Sequence, residues 1–439
     1  MSKRIRVIAL LLMAALLGGC GMKTPDEMYC LPKRSDNYHN VQTAIDSAME
    51  GLSYCAPLAG ENQQPVQIAD LNDDGVDEYL LFAKSGDEKP LRILVFQSVD
   101  GAYVHTDTVQ SNGTAFDTVE YVQMDDRPGL EIVVGCQLSD QVIRSAFVYT
   151  WKGNKLEQLI NLSYTKILTV DLDNNGISEL MQIHPGNAET DNGVVSIYSI
   201  HKGIVERSNE VTMSQPADKL KRIMTGKLHG GTSAVFVAST VDDAALITDV
   251  FTIRENMLAN VSLSNESGTS IKTLRNYYIY ADDIDNDGIL ELPALVNMKQ
   301  EGSAESAERQ HMIRWYALTP SGEEIDKLYT FHNFIGGWYL QLNDKIVPQL
   351  TVTATGFQYE FSLWDEEYKT TEKLLTIYAI TGQNKEEQAV IDGRFVVYRT
   401  ETTVYAAKLE PIASEYELTQ DSVIYSFRLI QLDWKTGET

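Results

Sequence analysis

The sequence predicts a mainly β chain: a β-propeller of about five, and up to seven, four-stranded blades with a small C-terminal α+β domain. Three observations predict it. First, an acidic motif, D-x-[D/N]-x-[D/N]-G with Glu three residues past the glycine, stands at Asp70–Glu78, Asp171–Glu179 and Asp283–Glu291, and weaker copies surround Gly129 and Gly230. Second, the central glycines Gly75, Gly129, Gly176, Gly230 and Gly288 stand 47 to 58 residues apart, a blade-sized period. Third, 24 to 34 residues after each of them comes Gly101, Gly153, Gly203, Asn256 or Gly322, at a turn between two strand-like runs where a tight hairpin needs positive φ. Each unit thus reads strand, acidic loop, strand, connection, strand, tight turn, strand. A ring of such units leaves only short, protected edges.

The N-terminus carries a different signal. Residues 1–6 are basic, Val7–Leu17 is an apolar run of 11 residues, and Gly-Gly-Cys20 ends it. A helix needs about 20 apolar residues to span a bilayer, so this run reads as a secretion signal. Leu17-Gly18-Gly19-Cys20 resembles a bacterial lipobox, which implies cleavage before Cys20 and diacylglycerol on its thiol. Two acyl chains suffice for stable anchoring. The expected organisation is a lipoprotein signal peptide at 1–20, a tether and N-terminal helix at 21–62, the propeller at 63–334, and the α+β domain, or further blades, at 337–439. The helix is expected over Asn40–Leu52, with Val41, Ala44, Ile45, Ala48, Met49 and Leu52 on one face. Cys30 and Cys55 bracket it, and a disulfide and free thiols are both open readings there. Cys136 reads as a small buried hydrophobe. Near the C-terminus, Val423, Ile424, Phe427 and Ile430 are helically spaced behind a Thr419 N-cap.

A net charge of −26 narrows the partners, and loss of Lys3, Arg4 and Arg6 with the signal would take it to −29. Nucleic acid is argued against, because phosphate binding needs clustered Lys and Arg. Recruitment of cations is favoured.

The acidic loops are where cations would go. The first offers Asp70, Asn72 and Asp74, the Val76 carbonyl and Glu78; the third offers Asp171, Asp173, Asn175, the Ile177 carbonyl and Glu179; the fifth offers Asp283, Asp285, Asp287, the Ile289 carbonyl and Glu291. Hard oxygen donors on a flexible turn suit Ca2+ better than zinc or copper. An EF-hand is not the match, since the twelfth residue of the first loop is Leu81 and a strand-like run follows instead of a helix. The stretches DLNDDGVDE, DLDNNGISE and DIDNDGILE resemble the calcium loops of FG-GAP or VCBS-type repeats, as in integrin α-like propellers and bacterial surface lipoproteins. That resemblance implies up to three structural Ca2+ ions stapling blade hairpins. Around Gly129 the loop is one residue shorter, with Met124 at the first ligand position, and around Gly230 no carboxylate is present. Both are expected to keep the turn and lack the metal.

Motifs of catalysis are missing from the sequence. It has no zinc-type histidine spacing, nucleophile elbow, Walker loop or dinucleotide fingerprint. Trp338 and Tyr339 offer aromatic faces to a sugar ring, or a new core. The resulting expectation is a lipid-anchored module at the bacterial cell membrane surface, outside the cytoplasm, that binds a protein or glycan ligand. A glycan-active hydrolase or lyase and an envelope assembly protein are the alternatives.

Overall fold

The computed structural model describes residues 36–138, 144–186, 191–242, 245–299 and 311–430. The stretch expected to be a secretion signal, Cys20 and Cys30 lie outside them. Among the described residues no helix is long and apolar enough to cross a membrane. The chain divides into two compact units, the first comprising 36–56, 64–70 and 74–112, the second the remainder.

The first unit is one helix on one sheet. The helix spans Asp36–Ala48, four residues earlier than expected at both ends. Its face is the expected one: Val41 and Ile45 are buried against Leu81, Ala83, Leu94 and Phe96. Sheet 1 runs Val66–Ala69, Glu78–Lys84, Leu91–Val99, Ala102–Ser111 in antiparallel sequence order, with Ser53–Tyr54 pairing beside the first strand on Glu78–Lys84. The second and third strands read as near-continuous apolar runs because most residues of both are buried. Val99 faces Ala102 across a two-residue turn in which Asp100 and Gly101 both have positive φ, the type I′ geometry that matches strand twist.

The second unit holds five more antiparallel sheets. Sheet 2 (Ala115–Val122, Glu131–Gln137, Arg144–Lys152, Lys155–Tyr164) and sheet 4 (Leu220–Lys227, Ser233–Val241, Ala245–Arg254, Met257–Asn260) are four-stranded meanders. Sheet 3 (Lys166–Val170, Glu179–Pro185, Gly193–His201, Ile204–Arg207) is a meander too, with Val211–Thr212 on the far half of its third strand. The same two-residue turn recurs at Gly153–Asn154, Lys202–Gly203 and Glu255–Asn256. In every one of sheets 1 to 4 the loop between first and second strands is the one marked by the acidic motif or its weaker copy.

Sheets 5 and 6 depart from that plan. Sheet 5 orders Leu292–Asn297, His311–Leu318, Glu324–Asn333, Trp338–Leu342 and then Phe427–Leu429. Its first-strand position is reduced to a single bridge, Asp282 to Glu291. The expected boundary at Gly337 therefore falls inside this sheet. Aromatic packing explains why: Trp338, fully buried, stacks on Phe427 at 5.3 Å and contacts Phe331 at 5.8 Å, which draws the C-terminal segment onto the edge. Thr419 does cap a helix, in a reciprocal box with Ser422, but the helix ends at Ser426 and Phe427 continues as strand. Ile424 is correspondingly 41% exposed, so the helical spacing of that run does not describe its core. Sheet 6 (Leu350–Thr355, Gln358–Asp365, Thr370–Thr381, Thr403–Leu409, Phe395–Arg399) inverts the order of its last two strands and packs into the same aromatic core.

Candidate metal centre

Three of the hairpin loops share one backbone trace. The fourth residue of each, Asp73, Asn174 or Asn286, is left-handed at φ 57°, 61° and 61°, and the glycine two residues on has φ 82°, 86° and 84°. The motif supplies the reason. The first Asp folds the loop over itself: Asp171 accepts the N–H of Asn175 at 3.1 Å and of Gly176 at 2.9 Å, Asp283 those of Asp287 and Gly288 at 2.9 and 3.0 Å, and Asp70 those of Asp74 and Gly75 at 3.2 and 2.9 Å. The fifth residue makes an Asx turn, in which Asp74, Asn175 and Asp287 accept the N–H of Val76, Ile177 and Ile289.

The closing glutamate does a second job. Glu179 Oε2 accepts the Leu172 N–H at 2.9 Å and Glu291 Oε2 accepts the Ile284 N–H at 3.2 Å, so each carboxylate is held under its loop. Both are buried, at 5% and 0% exposure, as is Glu78 at 3%. Asn72, in the segment Leu71–Asp73, belongs to the second unit, while the other expected ligands of the first loop, Asp70, Asp74, Val76 and Glu78, belong to the first.

Two carboxylate clusters result. Oxygens of Asp171, Asp173 and Glu179 lie within 4.8 Å of one another, and so do those of Asp283, Asp285 and Asp287. Hard oxygens at this spacing fit a cation such as Ca2+, whose ligands lie about 2.3 to 2.6 Å away. In the third loop nothing else offsets the charge: among the described residues no Lys or Arg pairs with Asp171, Asp173 or Glu179. Burial, aggravated by Asp173 and Asp171, pushes Glu179 up to about 7 against the Leu172 hydrogen bond.

The fifth loop brings its own cation. Lys327, on the strand Glu324–Asn333, places Nζ 3.5 Å from Asp285, 3.6 Å from Glu291 Oε1, and in contact with Asp287. Burial works against the ammonium, but the Asp287 hydrogen bond with Asp285 and Glu291 raises its pKa overall. Asp287 is lowered by that same bond. Glu291 still stands at about 7, because burial and Asp285 outweigh the Ile284 N–H and Lys327. Its Oε1 is buried and accepts no hydrogen bond, so the ammonium of Lys327 at 3.6 Å is its charge partner.

The two weaker copies close differently. Around Gly129, buried Asp125 pairs with Arg127 at 2.6 Å and accepts the N–H groups of Lys202 and Gly203 at 2.7 and 2.8 Å, tying sheet 2 to the hairpin of sheet 3. Glu131 accepts Met124 N–H at 2.9 Å and Thr150 Oγ1 at 2.8 Å. Gly129 itself has φ 111° and a Cβ there would strike the Leu71 carbonyl, so no other residue fits. Around Gly230 the turn is closed by backbone alone, Leu228 N–H to Thr232 O at 2.8 Å and Gly231 N–H to Leu228 O at 2.9 Å.

The remaining expected sites fall as follows. Cys55 is half-buried and Cys136 buried, and neither is in a disulfide with another described residue. Trp338 is wholly inside the core and offers no face to a sugar; Tyr339 is half-buried, stacked on His332 at 4.9 Å. Lys327, Arg127 and Thr150 were not legible as site residues. They sit on other strands or loops with no local motif, and only folding brings them to the carboxylates.

No protein-family model matches the chain, and no curated protein does. Solved structures similar to it include a protein from Lactobacillus plantarum (12% identity, over 73% of this chain and 86% of that one, TM-score 0.28). A rhamnogalacturonan lyase from Bacillus licheniformis matches at 10% identity over 81% and 91% of the two chains, TM-score 0.30. An endo-arabinase from Bacteroides thetaiotaomicron matches at 14% over 73% and 96%, TM-score 0.21. TM-scores this low say nothing about activity.

Proposed function

We propose that the chain is a lipid-anchored, extracytoplasmic β-propeller of the FG-GAP/VCBS type, whose acidic hairpin loops hold structural Ca2+ and whose face binds a protein or glycan without catalysis. The observation that carries the reading is the common geometry of the loops at Asp171 and Asp283. Each has the same left-handed fourth residue, the same doubly bonded first Asp and the same buried closing Glu. Clustered carboxylates of this kind repel one another unless a cation joins them. Sheets 1 to 4, in each of which a four-stranded meander carries the motif or its weaker copy between the first two strands, support the blade reading. The basic, apolar, Cys20 series supports the address.

The loops favour a staple over a reaction centre. Both oxygens of the first Asp accept loop N–H groups and the closing Glu is buried beneath, so the carboxylates are committed to holding the hairpin. The test is thermal melting of the full chain. Millimolar Ca2+ should raise the melting temperature and EDTA should lower it, whereas an unchanged melt removes the metal from the proposal. Substitution of Cys20 by Ala should release the protein from membranes, and persistent membrane association would count against the anchor.

A further inference from the structure

Toward the end of sheets 2 and 3 away from their acidic loops lies a cleft of about 550 Å3, within the second unit. It is walled by Arg144 and Ser163 from the third and fourth strands of sheet 2, by Thr165, and by His184, Tyr198 and Arg207 from sheet 3. The chain has 62 acidic residues against 36 Lys and Arg, yet among the described residues no Asp or Glu lines this cleft. The acids that balance it stand behind the arginines.

Each guanidinium is fixed by one edge only. Arg144 Nε lies 3.5 Å from Asp117 Oδ2, which also accepts the Tyr164 hydroxyl at 3.1 Å. Arg207 donates through Nη2 to Ser196 Oγ at 3.1 Å and to Glu210. Arg144 Nη1 and Nη2, and Arg207 Nη1, have no partner among the described residues. His184 adds a third group. Its Nδ1 faces the Pro185 carbonyl at 2.8 Å and so carries a proton, while its Nε2 is buried without a hydrogen bond, 4.0 Å from Glu210. The Ser163 and Thr165 side-chain hydroxyls, neither of which makes a hydrogen bond within the described residues, share the wall with Gln182, which accepts the Tyr198 hydroxyl at 3.0 Å and donates to the Ser163 carbonyl at 2.7 Å.

We propose that this cleft binds a hydroxyl-bearing carboxylate, the group a sugar acid presents. A guanidinium fork pre-set by its own salt bridge matches a planar carboxylate in two parallel hydrogen bonds. The hydroxyls suit ring oxygens beside it, and the volume is that of a small-molecule site, about 300 to 1,000 Å3. Each arginine is paired from behind with a carboxylate, so the cleft presents open N–H donors to a ligand with no acid among the described residues of its lining. The inference rests on the reading of the protein as a binding module, and names one ligand class for it.

Calorimetric titration of the full chain in Ca2+ with D-glucuronate, D-glucose and inorganic phosphate tests it. Glucuronate should bind about tenfold or more tightly than glucose, which differs only by the carboxylate, the size expected for a charge-assisted pair. R144Q should weaken glucuronate by about tenfold or more. R144K, which keeps the charge and loses the fork, should fall between, and T165F, which fills the cleft without touching an arginine, should abolish binding. Melting temperatures near the parent's would show that the variants fold. Absence of glucuronate binding, equal binding of glucose, or phosphate bound as tightly as glucuronate would each overturn the assignment, the last leaving an adventitious ion only. A calcium-dependent melt that survives such a failure would confine the failure to this cleft.

Discussion

The loops at Asp171 and Asp283 have nearly the same sequence, backbone and internal hydrogen bonds, yet they solve the same electrostatic problem differently. Asp171, Asp173 and Glu179 face one another with no basic side chain among the described residues to relieve them. Asp285, Asp287 and Glu291 share the Lys327 ammonium. A tethered cation is available at every calcium concentration but brings one charge and three donors, where Ca2+ brings two charges and six to eight coordination positions. The comparison teaches that a repeat motif can persist while a counter-charge for its carboxylates is supplied from another strand at one copy and not at the other.

The largest difference should follow from deleting the first Asp. D171A and D283A each remove two hydrogen bonds to a carboxylate, at a cost of about 2 to 3 kcal/mol in urea unfolding whatever the cation. In Ca2+ at a hundred times its Kd, D171A should lose about 2.7 kcal/mol more, the binding contribution itself. D283A should lose less of it, because Lys327 stands in for part of the ion. Equal calcium-dependent losses would break the comparison.

Replacing the lysine sharpens it. K327M leaves Asp285, Asp287 and Glu291 without their counter-charge. Ca2+ affinity at the fifth loop should rise about tenfold, worth about 1.4 kcal/mol, since the ion no longer displaces an ammonium. In EDTA the same variant should melt lower than the parent. Unchanged calcium titration would mean that Lys327 and the ion occupy different places.

What the sequence reveals about these loops, and what it hides, divides along the same line. The turn is local: a glycine at φ 86° in Gly176, an Asx turn at Asn175 and a Glu three residues on are all written within nine residues, and so is the hairpin they close. The period of those motifs likewise exposes the order of sheets 1 to 4. Lys327 is non-local, one charged residue in a strand whose own pattern gives it no role. The edge strand Phe427–Leu429 is hidden for a related reason: Trp338 and Phe427 meet across nearly ninety positions, and three residues are too few to show a period. The arginine-lined cleft, too, depends on residues scattered over two sheets.

The pH dependence should expose the raised glutamates in cation-free protein. Glu179 and Glu291 both stand near 7 when folded, above the ordinary 4.5 of the unfolded chain. A raised carboxyl binds its proton better folded than unfolded, so its contribution is full below about 4.5 and is lost as pH rises to 7 and beyond. In EDTA, the melting temperature should therefore fall between pH 5 and 7.5. Saturating Ca2+ should flatten or reverse that fall, because the ion replaces the proton on Glu179. A fall that is identical with and without Ca2+ would place the titration elsewhere.

The smallest effect separates both loops from the Gly129 copy. There Arg127 neutralises Asp125, and Thr150 Oγ1 donates to Glu131 Oε1 at 2.8 Å, both side chains buried. Thr150→Val keeps the shape and removes only the hydroxyl, so Glu131 retains the Met124 N–H on Oε2 and loses its partner on Oε1. Burial already raises the Glu131 pKa, so the orphaned oxygen should shift the carboxyl further toward its protonated form and cost about 1 kcal/mol in urea unfolding at neutral pH. That cost should be the same in Ca2+ and in EDTA, since the loop's charge is met by an arginine of its own. A loss that Ca2+ repairs would show that this shortened copy binds the ion too, and the division between self-neutralised and ion-dependent hairpins would have to be redrawn.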